Sequence, residues 1–488
     1  MESQTSSATP AGPAHHPLPS ATLSITLALS LSACATHSYA PDPLLVDNFE
    51  AFSAHREDVG PSDAEATPGE LSLRKAAEWL RTRGPRVREA VAAYRTALAR
   101  AGVPTPWPNP GIAVGPEFGW GPDVDVNKVV PFGSLSFTIP LSGRLGRQDE
   151  VNEASAQFAR ADALATFREL YLDLRSRYVR LAVAQKRVAV RATVLEAAQA
   201  SLAAANDLVA AGGATALDVS LFQLEHARER SRVLGARLAV TDSASDLSDL
   251  VAVSPWRLGV LPEDSLPTTP ADSPKLEELR ELIVKEHPGL FRLRAEYEVA
   301  ERQLHLEITK QYPDLTFGSS LGGEAGERTT ILGLSLGIEI PLFDRNQQAI
   351  AEATKRREEI RTKYEAAAHR ILTAIERARA TVVLASAQHR ILRDEVLPAA
   401  RDNVEIAKQS LAAGSAGALQ LLDAERSFRQ VQIEVLEARL AEQLAWSDLE
   451  KAVGFPIVEF RSDPDDGGRT PPRELTDQQE NKTEGEGR

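Results

Sequence analysis

Cys34, nine scattered histidines and two carboxylates that follow glycine turns, Asp218 and Asp423, are the residues of this 488-residue chain whose types and positions invite chemistry. Cys34 is the only cysteine, so no internal disulfide can form. It closes the tetrapeptide Leu31-Ser32-Ala33-Cys34, directly after the apolar run 23–31. No histidine pair has metal-ligand spacing such as His-x-x-x-His, so no metal site is expected. His305 and Glu301 share a helical face, which is ordinary surface pairing. The glycines between Gly318 and Gly326 do not sit between a strand and a helix, which excludes a phosphate loop. No nucleophile, base and acid converge in the sequence. Neither an enzyme nor a cofactor is expected.

The run 23–31 is too short to span a bilayer but suits a signal-peptide core. Leu31-Ser32-Ala33-Cys34 resembles the bacterial lipobox, which implies a signal peptide over 1–33, lipidation of Cys34 and a lipid-anchored tether over 34–70. Residues 1–33 contain no Lys or Arg, only His15 and His16, which departs from the usual basic start of such signals. Ala35 follows the cysteine where retention in the inner membrane commonly uses Asp, so the resemblance implies outer-membrane export.

The elements that position these residues come in two copies. After Arg144 no proline occurs until Pro255, and the segment 148–211 is rich in Ala, Leu, Arg, Glu and Gln, all strong helix formers. As one helix it is roughly 95 Å long. Phe167, Leu174, Leu181, Val188, Leu195, Leu202 and Val209 recur every seven residues, the spacing of a coiled-coil seam. Gly212-Gly213 ends it. A second helix runs to about residue 253, and a Pro-rich connector covers 254–274.

Pro140-Leu141 returns as Pro341-Leu342, Val209-Ala210-Ala211-Gly212 as Leu411-Ala412-Ala413-Gly414, and Ser245-Asp246-Leu247 as Ser447-Asp448-Leu449, all at an offset near 202. Such self-similarity is an internal duplication. The first repeat is read as 71–253, with strands about 112–120 and 129–141 and a long helix about 144–211. The second is read as 275–456, with strands about 315–321 and 331–342 and a long helix about 345–413. Residues 457–488 read as a disordered tail.

Leu332, Leu334, Leu336, Ile338 and Ile340 alternate with Gly333, Ser335, Gly337 and Glu339, the pattern of a strand with lipid on one side and water on the other. No run of about 18 apolar residues exists, so no ordinary transmembrane helix is expected. The net charge of −14 argues against nucleic acid as a partner. Four membrane-length strands cannot close a barrel, and lipid does not tolerate an open sheet edge. If the strands span a membrane, several chains must therefore share one barrel; the alternative is a soluble four-stranded sheet.

The duplication, the junction Ile340-Pro341-Leu342-Phe343-Asp344-Arg345-Asn346, the tip Gly414 to Glu425, His287-Pro288 and Tyr312-Pro313-Asp314 together resemble the TolC-like family of outer-membrane efflux proteins, over roughly 71–456. The resemblance implies a mainly α fold with a small β part. As a homotrimer it forms a twelve-stranded transmembrane barrel in outer-membrane lipid, continued by a long periplasmic α-helical barrel. It implies efflux of metal cations or drugs, with a periplasmic adaptor and an inner-membrane resistance-nodulation-division pump as partners. It places Asp423 and Gln420 at a periplasmic aperture, Gln420 standing where an acid is expected. It places Gly212, Leu217, Asp218, Gly414 and Leu419 in the tip turns that meet the adaptor. Asp218 matches a latch residue whose basic partner position is Ala416 here, and it also suits a helix-entry acid. The rival reading is a membrane-tethered coiled-coil lipoprotein that transports nothing.

Overall fold

The computed structural model describes residues 39–44, 46–57, 70–117, 130–210, 215–259, 261, 266–270, 273–323, 330–413, 415–458 and 471–475. Residues 1–54 and 55–488 form two units. The first contributes most of helix α1 (Val46–Glu57); all that follows concerns the second.

The duplicated sequence folds as a duplicated structure. Helices α2 (Leu73–Arg83) and α3 (Pro85–Ala101) lead into strands β1 (Gly111–Glu117) and β2 (Val130–Ile139), then the 67-residue helix α4 (Arg144–Ala210) and the return helix α5 (Ala216–Val251). The second copy is α6 (Leu276–Glu286), α7 (Pro288–Thr309), β3 (Leu315–Gly323), β4 (Thr330–Ile338), α8 (Gln347–Ile391), α9 (Leu397–Ala412) and α10 (Ala418–Val453). Gly84 separates α2 from α3, with Pro85 at the first helical position of α3, where its missing N–H costs nothing.

One difference from the sequence reading lies in the second long helix. It is not continuous from 345 to 413: a π-helical turn, Leu392–Val396, joins α8 to α9. Pro398 is the cause, since it has no N–H for the carbonyl four residues back and its ring crowds that turn. A π turn absorbs such a local mismatch without ending the helix.

Both long helices start through a residue in the left-handed region, Gly143 (φ 72) and Asn346 (φ 58). Glycine and asparagine are the residues that reach it at least cost. Asp344 Oδ1 accepts from the Asn346 N–H at 2.9 Å, and the Asn346 amide donates to Glu307. At the first junction the Arg144 guanidinium donates two-pronged to Asp314, with 2.8 Å from Nη2 to Oδ2. That pair ties the start of α4 to the chain entering β3.

The core is two clusters. The first gathers Leu73, Leu80, Phe167, Leu174, Tyr178, Leu181, Leu247 and Val251 around the middle of α4. The second gathers Leu279, Ile283, Leu290, Ile375, Trp446, Leu449 and Val453. Between the repeats lies a buried ion pair. Arg175 of α4 donates to both carboxylate oxygens of Glu450 on α10, at 3.0 and 2.8 Å, with side-chain exposures of 1% and 3%. Glu450 Oε1 also accepts the N–H groups of Ile457 and Val458 at 2.8 Å. Nearby, half-buried His287 accepts the Gly289 N–H on Nδ1 at 3.2 Å. Burial holds its imidazole below the usual range, so it stays neutral near pH 7.

The seven-residue seam of α4 holds in part. Phe167, Leu174 and Leu181 are buried, but Val188, Leu195 and Leu202 are only half-buried. Nearer the tip the burial passes to small residues three positions on: Ala184, Ala198 and Ala205. Composition also needs a correction: a stretch within Arg144–Asp207 is long and apolar enough to cross a membrane by that measure alone. Alanine supplies much of that apolarity, and little of the stretch is buried within one chain. The tail reading is corrected at 471–475, which lies on α4. Leu475 is 1% exposed within the first cluster, and its carbonyl accepts from Arg160 Nε at 2.8 Å.

Candidate functional site

The four strands form one antiparallel sheet in the order β1-β2-β3-β4, so β2 and β3 join the two repeats and β1 and β4 are its edges. Directly paired residues share a face, which lets the register sort the whole sheet. One face carries Ile112 with Leu135, Phe137 with Phe317, Ile139 with Leu315, and Leu336 and Leu334 opposite Phe317 and Ser319. The other carries Ala113 with Ser134, Gly318 with Ser136, Thr316 with Thr138, and Ser335 and Gly333 opposite Gly318 and Ser320. The first face is apolar and open, with Val114 at 84% and Leu336 at 72% exposure. The second is built mostly from Gly, Ala, Ser and Thr. An apolar face this exposed has no place in water, and the opposite face is too sparsely furnished with large side chains to hold a second layer.

At the far end of the long helices, two turns carry most of the sequence-predicted site residues. Gly212, Gly414 and Cys34 lie outside the described residues. Asp218 and Leu419 are placed by their backbone in the first turns of α5 and α10. Leu217, in the first turn of α5, is 70% exposed. After α9 the Ser410 carbonyl accepts the N–H groups of Ser415 and Ala416 at 2.9 and 3.2 Å. Gln420 acts locally, as its Oε1 accepts the Gly417 N–H at 3.3 Å and closes the entry to α10. Asp423 is exposed one turn further on.

Asp423 does not stand among carboxylates alone. It lines a pocket of about 420 Å³ between α4, α5 and α10, with Arg191, Glu225, Glu229, Arg232, Arg426 and Arg429. Glu229 is 3% exposed and pairs with Arg232 and, at 3.4 Å, with Arg191. Glu225 is 8% exposed and lies 3.7 Å from Arg232 and 4.0 Å from Arg426. Arg429 pairs with Glu425 at 2.6 Å. Buried carboxylates keep their charge only beside such partners, and these link α5 to the helices on both sides of it. Sequence reasoning missed the cluster, although Glu225, Glu229 and Arg232 recur on one helical face at the spacing of interacting pairs. Among the described residues, no group of three or more His, Cys, Asp or Glu is arranged to hold a metal ion.

Known proteins bear on this arrangement. The sequence model of the outer membrane efflux protein family matches residues 279–455. The chain is 26% identical over 325 residues to the cobalt-zinc-cadmium resistance protein CzcC of Cupriavidus metallidurans, covering 64% of this chain and 74% of that one. It is 25% identical over 329 residues to outer membrane protein OprJ of Pseudomonas aeruginosa, covering 63% and 65%. Among solved structures it resembles CusC, with a TM-score of 0.64 at 16% identity over 86% of this chain and all of that one. It resembles the Campylobacter jejuni CmeC outer membrane channel, with a TM-score of 0.63 at 14% identity over 92% and 97%. At those identities the structural likeness is one of fold.

Proposed function

We infer, from a chain that belongs to the TolC-like outer-membrane efflux protein family, that one copy is a third of the working unit. The protein is an outer-membrane channel of tripartite efflux systems, reaching into the periplasm, and not an enzyme. The family implies a trimer. The observation that carries the reading is the two-faced sheet with open edges at β1 and β4. Three copies place twelve strands around a bore, with the apolar face toward lipid and the small hydroxylated face toward water. The half-buried row on α4 and the exposed Leu234 and Leu238 of α5 supply surface for neighbouring copies. The working partners in this reading are a periplasmic adaptor at the tip turns and an inner-membrane resistance-nodulation-division pump, which drives metal cations or drugs through the passive channel. The names of CzcC and OprJ frame that choice of substrate class.

The tip is the site of control. Three copies of Asp423 around one axis raise the negative potential there, and carboxylate rings favour cations in narrow pores. Arg426 shares the Asp423 pocket and offsets part of that field. Asp423→Ala is therefore expected to reduce cation preference and divalent block moderately while leaving assembly intact, and Asp218→Ala to do less. Reversal potential under a salt gradient in planar bilayers reads this out. The same cation preference and block in wild type and Asp423→Ala removes Asp423 from the aperture.

Anchoring rests on Leu31-Ser32-Ala33-Cys34. Intact mass of membrane-extracted protein is expected to give a chain starting at a lipidated Cys34. Retention of residues 1–33, or an unmodified thiol, contradicts it. Cys34→Ala is expected still to hold the membrane, because the barrel does so by itself.

A further inference from the structure

Between the helices and the last pair of the β1–β2 ladder, Glu117 with Val130, the small-residue face of the sheet has two exceptions. Phe132 on β2 pairs with Gly115, and Ile331 on β4 pairs with Gly322. Phe132 stands on the face of Ser134, Ser136 and Thr138, and Ile331 on the face of Gly333, Ser335 and Gly337, because side chains alternate along each strand. The two belong to one row. Gly133, Leu321 and Leu332 are aligned across β2, β3 and β4, and Phe132, Gly322 and Ile331 are each one residue further from the helices. The row thus reads glycine, phenylalanine, glycine, isoleucine across the four strands. It lies near the end of the sheet away from α4 and α8, since Glu117 pairs with Val130 and Gly323 with Thr330 at the limits of the ladders.

The Phe132 side chain does not fill the glycine gap beside it. A Cβ built on Gly115 would meet nothing within 4 Å, so the Phe132 ring does not lie over its partner. Ile331 is 50% exposed. Both project from a surface on which Ala113, Ser134, Ser320 and Ser335 are the usual size.

We propose that Phe132 and Ile331 form an apolar collar near the outer mouth of the channel. The collar rests on the trimeric barrel described above: six large apolar side chains then project into a bore that, from the collar to the helices, is otherwise lined by glycine, alanine and hydroxyl groups, with Glu117 and Val130 at the end of the ladder beyond it. An apolar constriction hinders ions by resisting hydration, and charged groups at the tip do not share that mechanism. The collar sets the ion conductance of the outer end and admits neutral or apolar solutes more readily than hydrated ions. The glycines between the large side chains leave gaps, so it narrows the path without sealing it.

The test uses the full chain in planar bilayers. Single-channel conductance of F132A/I331A is expected to rise by about twofold or more over wild type. A charged, water-soluble methanethiosulfonate reagent is expected to modify F132C and I331C and lower their conductance. It should also modify S335C on the inner face and leave L334C on the lipid face untouched, with wild type treated in parallel as the baseline for Cys34. If the alanine variant does not insert, the fall in current on modifying F132C carries the test. Unchanged conductance in an inserted F132A/I331A, or an unreactive F132C beside a reactive S335C, overturns the collar and leaves the barrel standing. A reactive L334C beside an unreactive S335C, or no channels from wild type, overturns the barrel reading and the collar with it.

Discussion

Glu450→Ala is expected to destabilise the helical body by about 3–5 kcal/mol, the usual consequence of removing one partner of a buried ion pair. Arg175 is 1% exposed, and in the variant its guanidinium would keep the Val458 carbonyl and Tyr171 hydroxyl but lose both bonds to the Glu450 carboxylate. Burial works against the Arg175 charge, and Glu450 more than restores it, so the guanidinium pKa stands above its ordinary value. The N–H groups of Ile457 and Val458 lose their acceptor at the same time. Arg175→Met combined with Glu450→Leu is expected to cost much less than either single loss, because no charge is then stranded. Thermal melting of the detergent-solubilised protein by circular dichroism checks both. A Glu450→Ala protein that melts with wild type would mean that the pair is hydrated in solution. The exposed pair Lys355 and Glu358, with 77% and 52% of their side chains open to solvent, is the control, and Glu358→Ala should leave the melt unchanged.

Gly454→Ala is expected to be nearly as damaging. Gly454 ends α10 at φ 84, a left-handed conformation that costs an ordinary residue about 1–2 kcal/mol. A Cβ there would lie 2.5 Å from Pro288 Cδ and 3.1 Å from His287 Cδ2. Overpacking of that kind adds about 1–3 kcal/mol. Pro288 cannot retreat easily, since its ring opens α7 and is itself buried. The expected total of roughly 2–5 kcal/mol reads out as a lowered melting temperature. A wild-type melt in Gly454→Ala would mean that α7 and the end of α10 move apart freely. The resemblance drawn from His287-Pro288 acquires a physical meaning here, because those two residues form the seat for the glycine at the end of the opposite helix.

Much of this architecture is legible in the sequence because it is local. Gly143 and the absence of proline mark where α4 starts and why it runs on; the alternation Leu332 to Ile338 declares the two faces of β4. The faces of β1 to β3 are harder to read, because Gly115, Gly133, Gly318 and Ser319 interrupt the alternation and only the register sorts them. The π turn escapes a periodicity reading, since Pro398 sits inside an otherwise helical pattern and helical phase resumes beyond it. The long-range pairs escape it altogether. Arg175 and Glu450 are 275 residues apart, and each alone reads as a charge on a helix face. The same holds for Arg426 beside Glu225. Resemblance alone leads to the aperture residues, and the structure adds what resemblance lacks: the arginines that surround Asp423 and the capping bond of Gln420. The seam of α4 shows a further limit. A seven-residue repeat names the row that will be buried but not by which chain, and the half-buried Val188, Leu195 and Leu202 leave that to a second copy.

In the reading proposed here, the sheet has no closed form within one chain and completes a barrel only with two more copies. Mass measurement of the complex in mild detergent is the decisive test. Three chains per particle are expected. A stable monomer whose strand amides are protected from exchange would contradict the trimeric barrel, because its open edges at β1 and β4 would then need no neighbour.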